Sequence, residues 1–246
     1  MISFIIPSFN EAQFIKATIE TINTAVSKAE NINKYEIILI NDGSVDNTKE
    51  VVKSLMAQND KIVFAENSKN SGMGASIKKA INLAKYEKFM ILPGGNDVVS
   101  NSISNSLKNY QTADLIMQYS LNNDEREKFR NVISKIYSLI YLIFLDINVY
   151  YINGCSIFPT KKVLEFNLKS NRHGILAEIV TKLCRENITY CEVPVMYKWP
   201  HKSRKTITFR NLLDVSLSFL SLFVELKIKK RTSVKCQRKN IVLKFY

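Results

Sequence analysis

Short apolar runs alternate with amphipathic stretches through the first hundred residues, and turn-forming residues separate them. Four apolar runs predict strands, at Ile2–Pro7, Glu36–Ile40, Lys61–Ala65 and Phe89–Leu92. Three stretches between them predict helices, from Glu11 to about Ala29, from Asp46 to Asn59 and from Ala75 to about Lys85. This alternation predicts an α/β fold, in which helices flank a Rossmann-like, mostly parallel sheet joined by right-handed crossovers.

The second strand is the most apolar and leads directly into polar loop residues. Ile37–Ile40 contains apolar residues only, which indicates a strand buried on both faces. In an open α/β sheet, ligands bind beyond the carboxyl ends of the strands, so Asp42 and Asp46 are candidate site residues. The alternative is that Asp42 forms a turn and that Asp46 or Ser44 caps the next helix.

Two later stretches are also strongly apolar. Residues 136–145 are too short for the ~20 residues that span a bilayer, and they predict a buried helix. Residues 211–226 predict an amphipathic helix with a broad apolar face, which could contact a membrane, the domain core or a second copy in a homodimer. Its narrow polar stripe recurs at intervals of three and four residues: Asn211, Asp214, Ser218, Ser221 and Glu225.

The formal net charge of +13 predicts an anionic partner, which could be a nucleotide, a nucleic acid or an acidic lipid. From Lys227 onward there are eight Lys or Arg and no Asp or Glu. Residues 211–231 are therefore expected at an anionic membrane surface, unless the basic tail is only a solvated end. No nucleic-acid-binding motif accompanies the charge, so we expect no nucleic-acid partner.

The cysteines and histidines indicate the redox state of the protein's compartment and whether a zinc site is expected. The four cysteines lack CxxC spacing and the two histidines are far apart, which argues against a zinc site and fits a reducing cytoplasm. Met1–Ile6 resembles a strand more than a signal peptide. We therefore expect a cytoplasmic protein, peripheral at the inner face of the membrane.

Three motifs in the first half occur in a characteristic order: Pro7-x-x-Asn10-Glu11, Asn41-Asp42-Gly43-Ser44-x-Asp46-x-Thr48 and Asn70-x-Gly72-x-Gly74. Their order and spacing resemble the nucleotide-sugar half of family 2 inverting glycosyltransferases, and most closely the dolichyl-phosphate mannose synthase-like subgroup that acts on polyprenyl phosphates. The similarity continues to about residue 210, through Arg126, Arg130, Ser134, Tyr151–Gly154, Ala177-Glu178, Glu192–Pro194 and Lys202–Arg204.

The resemblance implies a GT-A domain at residues 1–210, with a nucleotide-sugar-binding half at 1–100 and an acceptor half at 101–210. Residues 211–246 follow as an amphipathic helix and basic tail. The implied activity is inverting transfer of a sugar from a nucleoside-diphosphate sugar to a polyprenyl phosphate or a glycan precursor. A catalytically degenerate nucleotide-sugar-binding protein is the alternative. The sequence leaves the base, the sugar, the acceptor and the oligomeric state open.

The resemblance also implies roles for individual residues. Pro7 and Glu11 would hold the base and ribose, and Asp42 would accept a hydrogen bond from the base. Gly72 would admit a phosphate at a helix N-terminus or form an ordinary tight turn. Other residues would contact the diphosphate or an acceptor phosphate, namely Arg130 with help from Arg126, and Lys202, Ser203 and Arg204.

The chain departs from the family at the end of the fourth strand. An Asp-x-Asp motif is usual there, and its last carboxylate binds Mg²⁺ or Mn²⁺. Here the run is Pro93-Gly94-Gly95, so Gly95 occupies the metal-binding and donor-binding position. Asp97 or Asn96 could contribute oxygen ligands instead, which leaves metal dependence open. A second departure is His201, where a glycine commonly precedes the Lys-Ser pair.

The acceptor decides whether a catalytic base is needed. A lipid phosphate is already anionic and needs none, whereas a hydroxyl acceptor would need one. Asp97 and Glu178 are the candidates for that base. For Glu178, the alternative is an ordinary carboxylate on a helix surface.

Overall fold

The computed structural model describes residues 1–198, 209–228 and 237–239, with only the backbone of 209, 210 and 228. Its strands form one sheet in the order β3-β2-β1-β4-β6-β5-β7-β8. The strands are β1 Ile2–Ser8, β2 Tyr35–Asn41, β3 Ile62–Glu66, β4 Lys88–Ile91, β5 Leu115–Ser120, β6 Ile157–Pro159, β7 Thr189–Val195 and β8 Gln237–Arg238.

Helices connect these strands and cover both faces of the sheet. They are α1 Ile15–Ala29, α2 Thr48–Met56, α3 Met73–Ile81, α4 Ser100–Lys108, α5 Lys128–Leu145, α6 Thr160–Leu164, α7 Ile175–Leu183 and α8 Phe209–Phe223. A π-helical turn, Val224–Ile228, follows α8. The first four predicted strands and the three predicted helices between them are confirmed to within a few residues.

The direction of the strands places several loops at one edge of the sheet. β1 is parallel to β2 and β4, and β2 is parallel to β3. β6 is antiparallel to both β4 and β5, so β5 runs in the same direction as β4. The carboxyl ends of β1, β2, β4 and β5 therefore lie at the same edge, where α/β proteins bind ligands.

Strand β2 is buried on both faces, as predicted from its apolar run. Ile37 and Leu39 belong to the core on one face of the sheet, and Ile38 and Ile40 belong to the core on the other. All four side chains are fully buried. This burial fixes the register of β2 and so the position of the loop that follows it.

Helix α5 is not the buried helix that its apolar sequence predicts. Only Tyr141 and Leu145 of this helix are buried, whereas Ile136 is 52% exposed and Ile143 is 64% exposed. The prediction was wrong because α5 packs along one side only and leaves its remaining apolar residues at the surface. Hydrophobicity alone does not reveal how many sides of a helix are covered.

Helix α8 packs with its polar stripe toward the protein. Gly174 N donates to Asp214 Oδ2 at 3.1 Å, and Lys169 Nζ donates to Ser221 Oγ at 3.2 Å. Glu225 forms ion pairs with Lys169 at 3.3 Å and Lys182 at 3.4 Å. Part of the apolar face, Phe219, Leu222 and Phe223, packs on the core and against α5. Five other apolar side chains point outward: Leu212, Leu213, Leu217, Leu220 and Val224.

Residues after 210 pack against the preceding chain. Besides α8, strand β8 pairs in parallel with β7, and Arg238 forms an ion pair with Glu192 at 2.8 Å. The division of 1–210 into two functional halves stays a prediction. Within the described part of the chain, no helix combines the length and apolarity needed to cross a membrane.

Candidate functional site

The loops after β1 and β2 are joined by hydrogen bonds. Asn10 N donates to Ser44 Oγ, and Val45 N donates to Asn10 Oδ1, both at 2.9 Å. Asp46 accepts from Ala12 N at 3.2 Å and from Thr48 N at 3.1 Å. Burial acts to raise the pKa of Asp46, but the hydrogen bonds from Thr48 and Ala12 outweigh it and lower that pKa. Asp46 therefore ties these two loops together and holds the first turn of α2.

Asp42 organises the wall of the site nearest β3. It is buried, and its carboxylate accepts hydrogen bonds from Asn67 Nδ2 at 2.7 Å, Ser71 N at 2.9 Å and Gly72 N at 2.8 Å. A carboxylate can accept about four hydrogen bonds, so capacity for a ligand remains. The predicted contact with a nucleotide base stays a prediction, and the structure adds a role in ordering residues 67–72.

Gly72 has a packing role at the start of α3. Its φ is +99°, and an added Cβ would lie 2.4 Å from Asn171 O and 2.9 Å from Arg172 Cγ. Ala75 N donates to Asn171 O at 3.1 Å, so the segment before α7 covers this helix N-terminus. The backbone of Asn171 beside Gly72 argues against a phosphate contact there, and that contact stays a prediction.

The turn after β4 lies against the end of β1. A Cβ on Gly94 would lie 2.7 Å from Ser8 Oγ and 3.4 Å from Glu11 Cγ. Thr18 Oγ1 donates to Gly94 O at 2.8 Å, and Gly95 is buried beside it. Pro7 is the neighbour of Ser8 within β1, and Ser8 O accepts from Asp42 N at 2.8 Å. The structure therefore brings Pro7, Glu11, Asp42 and Gly95 to one edge, as the motifs predict.

A cavity of about 260 Å³ lies at the same edge, beyond the end of β5. All of its lining residues carry a polar group, and three belong to the motifs singled out from the sequence: Arg126, Ser134 and Tyr151. Arg126 Nη1 donates to Ser134 Oγ at 3.0 Å. The lining residues are Tyr119, Ser120, Asn123, Arg126, Asn131, Ser134, Lys135, Ser138, Tyr150 and Tyr151.

Arg130 lies near the loop before α7. Burial lowers the pKa of His173, the charges of Arg172 and Arg130 lower it further, and Asp214 partly offsets them. His173 is therefore a neutral imidazole near pH 7 among basic neighbours. Lys202, Ser203, Arg204 and His201 lie outside the described residues.

The first part of this chain is similar to a known family of enzymes. Residues 3–99 match the sequence profile described as Glycosyl transferase family 2. The chain is a glycosyltransferase with the GT-A fold.

Two relatives and one solved structure of similar fold illustrate these similarities. A dolichyl-phosphate beta-glucosyltransferase from Trichomonas vaginalis is 24% identical over 245 residues, which cover 92% of this chain and 75% of that protein. A poly-beta-1,6-N-acetyl-D-glucosamine synthase from Staphylococcus aureus is 31% identical over 110 residues, which cover 45% of this chain and 25% of that protein. The solved structure is glucosyl-3-phosphoglycerate synthase from Mycobacterium tuberculosis, in complex with Mn²⁺, UDP and glucosyl-3-phosphoglycerate. It superposes on this chain with a TM-score of 0.60 at 12% sequence identity. The superposition covers 90% of this chain and 79% of that one.

The glycosyltransferase does not present a fitting metal site at the turn after β4. Gly95 has no side-chain oxygen, and Asn96 Oδ1 accepts from Thr21 Oγ1 at 2.9 Å and from Lys198 Nζ at 3.2 Å. Asp97 lies near Cys155, whose pKa rises to about 12 through burial and the charge of Asp97. Within residues 1–198, 209–228 and 237–239, no three His, Cys, Asp or Glu side chains are grouped to hold a metal. We therefore assign no metal to Asp97.

Glu178 has a structural role in this glycosyltransferase. Its buried carboxylate accepts from the backbone N–H groups of Lys169 and Ser170, both at 2.9 Å, and pairs with Lys182 at 3.3 Å. These contacts fix the chain before α7. They argue against a catalytic base at Glu178, which stays a prediction, as does the same role for Asp97.

Sequence reasoning did not single out several residues that lie near the candidate site of this glycosyltransferase. Arg172 and Lys198 have no local motif, and only the folded chain places them near Gly72 and Asn96. The cavity side of α5 did carry a signal. Its polar residues recur at positions i, i+3, i+4 and i+7, which is the spacing of one helix face. They are Asn131, Ser134, Lys135 and Ser138.

Proposed function

We propose that this glycosyltransferase moves a sugar from a nucleoside-diphosphate sugar to a lipid phosphate, with inversion, at a membrane surface. The observation that carries the proposal is the two-sided character of α5. One side of this helix lines the polar cavity, whereas Val132, Ile136, Leu139 and Ile143 on other sides are exposed to the exterior. A phosphate headgroup in the cavity would thus adjoin an apolar surface for its chain.

The side chains that line the cavity suit an anionic ligand that also carries hydroxyl groups. The cationic groups of Arg126 and Lys135 line it, and guanidinium and ammonium groups bind phosphate well. Within the described residues, Ser138 Oγ and Asn131 Oδ1 are buried without a hydrogen-bond partner. Ser138 can donate to a phosphate oxygen, and Asn131 Oδ1 can accept from a hydroxyl.

The outward residues of α5 and α8 support the membrane contact. Ile143 and Leu217 are each 64% exposed, and the aromatic contacts of Phe144 with Phe219 and Phe223 place the two helices side by side. Exposed apolar patches of this kind mark membrane or protein contacts. Basic residues from Lys227 to Arg231 follow α8 in the sequence and favour an anionic bilayer over a second copy of the chain.

The donor is proposed to bind where β1, β2 and β4 end, beside Glu11 and Asp42. In an inverting step, an acceptor phosphate oxygen attacks the anomeric carbon from the face opposite the diphosphate. The new carbon–oxygen bond forms as the bond to the diphosphate breaks, and the nucleoside diphosphate leaves with the electron pair. Because the acceptor is already anionic, the structural role of Glu178 is compatible with turnover.

A degenerate nucleotide-sugar-binding protein is the second candidate, favoured by Gly95. Incubation with UDP- and GDP-sugars labelled in the sugar, with and without polyprenyl phosphate in vesicles, separates the two functions. Label that moves into the lipid phase supports the transferase. Nucleotide binding without transfer to lipid phosphate or to an oligosaccharide acceptor would favour the binding protein, and transfer only to the oligosaccharide would replace the lipid acceptor.

Substituting alanine for Arg126 is expected to raise the KM for polyprenyl phosphate by about tenfold or more, because a charge-assisted phosphate contact is lost. The affinity for the donor nucleotide should stay the same, since the cavity lies beyond β5. Lys128→Ala, at the exposed start of α5, is the matched control. Steady-state transfer assays measure both constants. Equal KM values for Arg126→Ala and the control would place the acceptor elsewhere.

A variant with four glutamate substitutions is expected to lower binding to anionic phosphatidylglycerol vesicles by about tenfold or more. The substitutions are Ile136→Glu, Ile143→Glu, Leu213→Glu and Leu217→Glu. They remove apolar groups and add negative charge at the outward faces of α5 and α8. Leu164→Glu, at the exposed end of α6, is the control. Vesicle co-sedimentation measures binding. Unchanged sedimentation together with loss of a dimer in analytical ultracentrifugation would assign these faces to a homodimer.

A further inference from the structure

An ammonium group contacts the residue that follows Gly95, the position at which the family usually has a metal-binding carboxylate. Gly95 has no ligand atom in its side chain, and the next residue, Asn96, adopts a left-handed backbone with φ of 55°. Its side-chain oxygen accepts from Lys198 Nζ at 3.2 Å. Lys198 therefore brings a positive charge to the turn after β4, which also carries the carboxylate of Asp97.

Backbone pairing fixes the position of Lys198. Lys198 N donates to Asp97 O at 2.8 Å, and Val98 forms an antiparallel bridge with Tyr197. Tyr197 is held in turn by Asn122, whose Oδ1 accepts from Tyr197 N at 3.0 Å. The base of the lysine side chain is thus anchored to the residues that follow β4.

The ammonium group is both positioned and accessible. Thr21 Oγ1 donates to the same Asn96 oxygen at 2.9 Å, so the amide that holds Lys198 is itself fixed. Lys198 is exposed, and an ammonium group has three N–H donors, of which one is directed to Asn96. The other donors are available to a ligand at the turn. A divalent cation at the same place would be repelled by this charge.

We propose that Lys198 takes the place of the divalent cation and binds the diphosphate of the donor. This inference rests on the proposed function, because it requires a nucleoside-diphosphate sugar at the ends of β1, β2 and β4. The ammonium group neutralises part of the charge that develops as the nucleoside diphosphate leaves. The glycosyltransferase then needs no metal ion for donor binding.

Isothermal titration of UDP and GDP into the full chain in EDTA tests the inference. We expect binding of one nucleotide in EDTA and little change on adding Mn²⁺. Lys198→Ala should weaken this binding by about tenfold or more through loss of a charge-assisted contact, whereas binding of the matching nucleoside should not change. Lys198→Arg should retain most of the affinity. Lys108→Ala, at the exposed end of α4, is the matched control.

The outcomes separate this inference from the proposed function. Binding that appears only with Mn²⁺, or equal affinities for Lys198→Ala and Lys108→Ala, would overturn the role of Lys198 and leave the donor site in place. If the wild-type chain bound neither nucleotide nor any nucleotide sugar, with or without Mn²⁺, the proposed function would fail and the inference with it.

Discussion

Replacing Asp42 with alanine is expected to abolish the rise in melting temperature that a bound nucleotide produces. It should also lower the free energy of unfolding by about 3–5 kcal/mol, because two backbone N–H groups and an amide lose a charged acceptor. The affected donors are Ser71 N, Gly72 N and Asn67 Nδ2. Thermal and urea unfolding, with and without UDP or GDP, measure both effects.

Asp60→Ala is the matched control for this variant, because Asp60 is exposed beside β3. It should retain both the stability and the nucleotide-induced shift of the wild-type chain. A folded Asp42→Ala variant that keeps the full nucleotide shift would show that the base binds elsewhere. If the alanine variant does not fold, Asp42→Asn supplies the same comparison, since it keeps the size of the side chain and loses its charge.

Glu178→Gln is expected to lower the free energy of unfolding by about 3 kcal/mol, because it breaks a buried ion pair with Lys182. The new amide would also direct N–H groups toward the backbone donors of residues 169 and 170. Urea unfolding measures this loss. Well below the melting temperature, kcat should stay close to the wild-type value, because we propose a structural role for Glu178 and not a role as base.

Glu165→Gln, at the exposed end of α6, is the control for Glu178→Gln. A fall in kcat of roughly a hundredfold or more at unchanged stability would restore Glu178 as a catalytic base. If Glu178→Gln is too unstable to assay, Glu178→Gln combined with Lys182→Met removes the remaining buried charge and allows kcat to be measured.

Much of the α/β fold could be predicted from periodicity, because its signals are local. The apolar run of β2 and the helical spacing before it depend on neighbours within a few residues, and both are present in the structure. The loops after β1, β2 and β4 could also be placed together, since parallel strands carry their carboxyl ends to one edge.

The rest could not be predicted because it depends on contacts between distant segments. Glu178 has the sequence context of a helix-surface carboxylate, and only the chain at 169–170 turns it into a buried acceptor. Gly72 has the context of a phosphate turn, and only Asn171 shows that backbone fills the space. The apolar sequence of α5 predicts a buried helix, but one side of it is exposed, because an apolar residue does not indicate what covers it.

The two-sided character of α5 also bears on how acceptor and donor reach the site. A helix is about 10 Å across, so the cavity and the outward apolar side are separated by little more than one helix diameter. A headgroup in the cavity could stay attached to a chain still immersed among neighbouring lipids. Acceptor would then arrive by lateral diffusion in two dimensions, while donor would arrive from bulk water in three.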